Sequence, residues 1–132
     1  MTASIPGIRR ELALSYDQAL ARVPEVLATE GFGVLTEIDV AATLAKKLGV
    51  DFRRYKILGA CNPHFAHEAL SNDLGVGVML PCNVAVYEGD DGRAVVLAVD
   101  PRQTMATHDL PAVAALAEKV RAKLAAVLEK IG

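Results

Sequence analysis

Residues 76–99, VGVMLPCNVAVYEGDDGRAVVLAV, decide the fold. Two runs rich in β-branched residues flank Glu88-Gly89-Asp90-Asp91-Gly92-Arg93, a cluster of turn formers, and the combination predicts a β-hairpin. A hairpin joins antiparallel strands, so it selects an α+β domain over the parallel sheet that the strand and helix alternation upstream also suggests. Pro81 falls inside the first run, read as extended over residues 76–88. With no N–H to give a ladder, it predicts an edge strand or a bulge at that point. Asp90 and Asp91 lack the fuller acidic spacing of a calcium loop, so the turn is read as a turn.

Working back toward the N-terminus, residues 8–14, IRRELAL, read as a strand. Ser15 caps the helical run 16–31, in which Pro24 predicts a kink or a break and Gly31 a stop. GVLTEI, 33–38, alternates as a strand, and Asp39 then caps a helix VAATLAKKL that Gly49 ends. RRYKILGAC, 53–61, is the next strand. It puts Tyr55, Ile57, Gly59 and Cys61 on one face and Lys56, Leu58 and Ala60 on the other, either of which could be the core face. Asn62 caps a short helix over 63–71 whose first position is Pro63, where a missing N–H costs nothing.

Beyond the hairpin, Asp100-Pro101 and an irregular stretch containing His108, read as a surface residue, lead to the longest helix, from about Leu110 to Ile131. Val113, Ala117, Val120, Leu124, Val127 and Ile131 form a single apolar stripe along it. The stripe buries against the chain's own sheet or forms a seam with a second subunit, and its own sheet is the simpler partner. The expected architecture is a two-layer α+β single domain of about five strands in one sheet, covered by helices to which the C-terminal one contributes most. The alternative is an α/β domain with a mainly parallel sheet.

The chain of 132 residues fits one domain with one core. Hydrophobic residues make up 52% and charged residues 23%, the balance of a packed globular protein. With 14 Lys and Arg against 16 Asp and Glu, the net charge of -2 gives no electrostatic reason to expect nucleic acid or an anionic membrane as a partner. The apolar runs are too short to cross a bilayer as a helix, and the first residues lack the pattern of a signal peptide. A cytoplasmic location is therefore expected, where the two cysteines stand as thiols.

Those cysteines each precede an asparagine. Cys61 lies just before a helix N-terminus, where unpaired N–H groups and the helix dipole favour a thiolate; alternatively it simply ends a buried strand. Cys82 shares its strand face with Val78, Leu80, Val84 and Val86, so if that face is the core face it is an inert buried thiol. Asn62 and Asn83 have an ordinary use at caps and turns. Cys61, His64, His67 and Cys82 together are four donors suited to zinc, although their spacing is not that of a known finger. A Cys–His nucleophilic pair would need a third, orienting group, which no residue pattern identifies. Neither Gly31-Phe32-Gly33 nor Gly75-Val76-Gly77 has the third glycine of a dinucleotide fingerprint.

GFGVLTEIDV, YKILGACNP, the AHEAL segment, LPCNVAVYE and VDP, in this order, resemble the uncharacterised bacterial and archaeal proteins grouped as domain of unknown function 302. The resemblance runs from about Gly31 to Pro101, with fitting helices on either side. It implies a compact α+β domain, a homodimer, and no established activity or cofactor. Carried over by position, its motif residues are Cys61, Asn62 and Pro63 at the first pair and Pro81, Cys82 and Asn83 at the second. His64 and His67 are outside the motif. The two Cys-Asn pairs are then expected to line one shallow pocket at a strand end, with Glu37 or Asp39 supplying a carboxylate. The expected function is a small-ligand-binding or thiol/redox module. The alternatives are a structural or interaction homodimer with its cysteines in the core, and a Cys/His metal-binding protein.

Overall fold

The hairpin of residues 82–99 stands at the centre of the molecule. In the computed structural model, which describes residues 7–105 and 108–132, it is formed by β4 (Cys82–Glu88) and β5 (Arg93–Val99). Gly89 N–H donates to the Arg93 carbonyl at 2.8 Å, and Gly92 takes a φ of 82° that a side chain would resist. Around it lie β1 (Gly7–Ser15), α1 (Tyr16–Thr29), β2 (Gly33–Asp39), α2 (Val40–Leu48), β3 (Tyr55–Cys61), α3 (Pro63–Asn72) and α4 (Pro111–Ile131). The five strands make one sheet in the order β1-β5-β4-β3-β2, antiparallel at every pairing. The fold is α+β, and the mainly parallel alternative does not hold.

Two expectations about the first half of the hairpin need correction. Residues 74–79 are a 3₁₀ segment rather than extended chain, because the Asp73 carboxylate accepts the Gly75 N–H at 2.9 Å and closes a turn there. Pro81 neither bulges a strand nor marks an edge. It sits immediately before β4, joined to Leu80 through a cis peptide bond, and β4 is the middle strand of the sheet. The missing N–H thus falls outside the ladder.

Pro24 does not break its helix either. α1 runs uninterrupted from Tyr16 to Thr29, started by a capping box in which Ser15 Oγ accepts from Gln18 N–H and the Gln18 side chain accepts from Ser15 N–H. It packs Ala19, Val23, Val26 and Leu27 onto the sheet, all essentially without solvent contact. α4 buries Val113, Leu116, Ala117, Val120, Leu124, Val127, Leu128 and Ile131, so its stripe is used within its own core. Both helices lie on the side to which Leu58, Ala60, Cys82, Val84, Val86, Val96 and Ala98 point. That settles the choice left open for β3: the Leu58 and Ala60 face is inward and the Tyr55, Ile57 and Gly59 face is outward, while Cys61, expected with the latter, lines the cavity at the strand's end.

Two polar ties hold α4 in place. Asp100, at the end of β5, is buried with Arg102 at 3.0 Å and Arg121 of α4 at 3.7 Å, and the Arg102 hydrogen bond holds its carboxyl below the usual range. At the other end, Arg10 of β1 donates to the carbonyls of Leu128 and Glu129, the open acceptors of the helix C-terminus.

Gly59 is the tightest point of the outward face. A Cβ there would lie 2.1 Å from Thr36 Oγ1 and 2.8 Å from Pro81 Cγ. Thr36 can rotate aside, but the Pro81 ring cannot. Gly59→Ala is expected to cost about 1–3 kcal/mol in urea unfolding, with part of the loss recovered in Gly59→Ala/Thr36→Ala. Wild-type stability in the single variant would contradict this packing.

Candidate functional site

β3 and β4 end side by side, with Ala60 opposite Cys82 in the ladder. The chain leaves β3 through Cys61 and Asn62 and enters α3 at Pro63, whose fixed φ suits a first helical position. α3 then turns Phe65, Ala66 and Ala69 inward, so that the end of the sheet, α3 and the first half of α4 enclose a cavity of about 20 Å³. Cys61, Asn62 and Cys82 line it, together with Phe32, Leu80, Met105, Leu116 and Val120. The space holds about one water molecule.

The motif residues are thus brought together only in part. Pro63 is exposed and Pro81 half-buried, and neither lines the cavity. Asn83 points the other way, since successive residues of a strand face opposite sides. It is exposed on the outward face, in a shallow groove of about 240 Å³ with Tyr55, Ile57, Ala85, Leu97 and Val99. Asn83 is therefore a strand residue rather than a turn residue. The expected carboxylates are occupied elsewhere: Glu37 pairs with Lys56 at 2.7 Å, and Asp39 caps α2 through Ala42 N–H at 2.9 Å.

Asn62 departs most from its expected role. It occupies the cap position of α3 but makes no side-chain cap bond. Its Nδ2 instead donates across to the Glu30 carbonyl at 3.3 Å, which leaves Oδ1 buried without a partner. With a relative exposure of 8%, this is a polar group withheld from water. A buried unpaired acceptor costs about 1–3 kcal/mol, and the helix N-terminus it would ordinarily serve is left without that cap.

The two thiols differ. Cys61 is half-buried at the mouth of the cavity, and Cys82 is inside. Burial, with the neighbouring Cys61 adding to it, pushes the Cys82 thiol up to about 11. His64 and His67 are exposed on α3, and neither lines the cavity. Among the described residues no three His, Cys, Asp or Glu side chains gather as a metal-binding group, so the set Cys61, His64, His67 and Cys82 is not assembled. Asp90 is likewise engaged by Arg53 at 2.9 Å and Asp91 by the Arg93 N–H at 3.0 Å.

Sequence reasoning missed two parts of the surroundings. Met105 lies in an irregular stretch with no periodicity to place it, yet it is buried in the cavity wall. His108 is not a surface residue: its side chain is only 13% exposed. Its Nδ1 accepts from Leu110 N–H at 2.9 Å, which leaves Nε2 to donate to Asp73 at 2.7 Å. This clamp fastens the start of α4 to the 3₁₀ segment beside the cavity, and the 35-position separation of its partners hides it from local patterns.

The family described as domain of unknown function DUF302 matches residues 8–131. Among solved structures, the chain is similar to an uncharacterized conserved protein DUF302 from Bacillus stearothermophilus. The identity is 30%, with 98% of this chain and 100% of that one covered and a TM-score of 0.88. No curated protein matches.

The Cys82 thiol makes stability depend on pH. Its folded value of about 11 lies above the ordinary 9.0, so its contribution is complete below pH 9 and is lost as pH rises through 11. Urea unfolding at pH 8 and at pH 10.5 is expected to show a fall on the order of 2 kcal/mol in the wild type. The fall should be smaller in Cys82→Ala. Equal falls would remove Cys82 as the cause.

Proposed function

The chain belongs to the family of domain of unknown function DUF302, and from that premise we propose that it is a thiol-centred binding module of the cytoplasm. Its working groups are Cys61, Asn62 and Cys82. The observation that carries this reading is the unpaired Oδ1 of Asn62, buried in a wall that both thiols share. A bound donor or cation removes the cost of that orphaned acceptor. Size narrows the occupant. About 20 Å³ is far below the roughly 300 Å³ at which pockets for organic ligands begin, which favours an occupant of one or a few atoms. Binding is preferred to turnover because, among the described residues, the lining holds no histidine or carboxylate to act as a base.

The test compares Asn62→Ala with the wild type, both fully reduced and stripped with chelator. Removing an unpaired acceptor should leave the variant at least as stable, as expected of a group kept for binding at the expense of stability. A loss of more than about 1 kcal/mol would make Asn62 a structural bracket acting through Glu30, and the reading would fall. In parallel, brief native alkylation followed by mass spectrometry should label Cys61 first and leave Cys82 for the unfolded chain.

A second reading, a homodimer, has its own support on the outward face of the sheet. Ile38, Ile57, Ala85 and Leu97 form a row across four strands, and Tyr55 stacks on Tyr87 at 5.3 Å beside it. Ile38 is 49% exposed, and Phe52 continues the apolar surface. At the end of this row Arg9 bonds to Glu11 at 3.0 Å, so these two charges cancel and do not repel a like face. Light scattering at micromolar concentration should give twice the chain mass, and Ile57→Glu should give the monomer. A monomeric wild type would rule the homodimer out.

A further inference from the structure

The cavity draws in three of the chain's five sulfur-bearing residues: both cysteines and Met105, one of three methionines. They arrive from separate parts of the chain, the end of β3, the start of β4 and the stretch before α4. The rest of the lining is hydrocarbon apart from Asn62. We propose that Cys61, Cys82 and Met105 form a three-sulfur site for a soft monovalent cation, Cu(I). This rests on the thiol-centred reading above and supplies the occupant that it leaves open.

Donor chemistry selects the ion. Thiolate and thioether sulfurs are soft ligands that prefer Cu(I), whereas calcium and magnesium require six or more oxygens, retained waters included, for which a space of about 20 Å³ has no room. Zinc takes four ligands from nitrogen, oxygen or thiolate sulfur, and among the described residues the wall adds one amide to the two thiols. Cu(I) is satisfied by two or three sulfurs. Binding replaces the two thiol protons, which leave to solvent, and forms two copper–thiolate bonds with Met105 as a weaker third. The metal keeps its oxidation state. Two thiolates and one Cu(I) carry a net charge of −1, and that charge lies at the N-terminus of the 10-residue α3, whose N–H groups Asn62 leaves uncapped. The unpaired Asn62 Oδ1 is buried in the same wall. His64 and His67, exposed and outside the cavity lining, take no part.

The experiment is an anaerobic titration of the reduced, untagged full chain with Cu(I) in the presence of bicinchoninate as a chromophoric competitor. The folded wild type should withdraw one equivalent from the competitor and develop a near-ultraviolet sulfur-to-copper charge-transfer band. Cys61→Ser and Cys82→Ala, each checked for folding by circular dichroism, should lose it. Met105→Leu should keep the ratio while weakening binding roughly tenfold, and His64→Ala/His67→Ala should bind as the wild type does. No withdrawal by the folded wild type would overturn the proposal, as would full binding by folded Cys82→Ala or loss in the double histidine variant. Asn62→Ala and the alkylation pattern are measured on metal-free protein, so either outcome there judges the thiol-centred reading separately.

Discussion

The register of β4 between β3 and β5 is the constraint on which the rest depends. Because a strand alternates, placing Val84 and Val86 inward commits Cys82 to the same side and commits Asn83, Ala85 and Tyr87 to the other. A shift of one residue would bury Asn83 and Tyr87 under α1 and α4 and expose both valines. The same alternation divides the second Cys-Asn pair, giving its cysteine to the cavity and its asparagine to the open face. The two halves of one motif therefore belong to different surfaces, one enclosed and one facing solvent.

Much of the architecture was legible because it is written in local chemistry. Ser15, Asp39, Gly31 and Gly92 each specify a start, a stop or a turn within a few residues, and the structure uses every one as its chemistry dictates. The hairpin at Gly89 and Gly92 identified the antiparallel sheet. The failures have a common physical source. Pro24 reads as a kink or a break and Pro81 as an edge or a bulge, but the packing of Val23 and Val26 carries α1 through the first, and the second falls one residue outside its strand. Asn62 looked like an ordinary cap, but its choice of Glu30 as partner depends on a backbone carbonyl 32 residues away. Met105 and His108 had no pattern at all, since only the closed fold gives them neighbours.

The cavity owes its existence to the way the core is divided. One cluster of buried residues lies between the sheet, α1 and the later part of α4, and a smaller one joins α3, the 3₁₀ segment and the start of α4. Phe65 packs against both. Where two separately packed groups of side chains meet, their shapes are constrained from opposite sides, and a small gap at the seam is the expected result. In this chain the seam coincides with the ends of β3 and β4, where both cysteines emerge.

The tie from Arg10 to the last turn of α4, together with the pairing of β1 to β5, has a consequence for how the protein is made. Among the described residues, 7–15 find their strand partner in residues 93–99, and Arg10 finds its acceptors at Leu128 and Glu129. During synthesis residues 7–15 leave the ribosome well before residues 93–99 exist to pair with them, and closure of the core waits for the last turn of α4. The interval leaves IRRELAL as an unpaired ribbon, and the two arginines and one glutamate within it place charge on the segment during that wait.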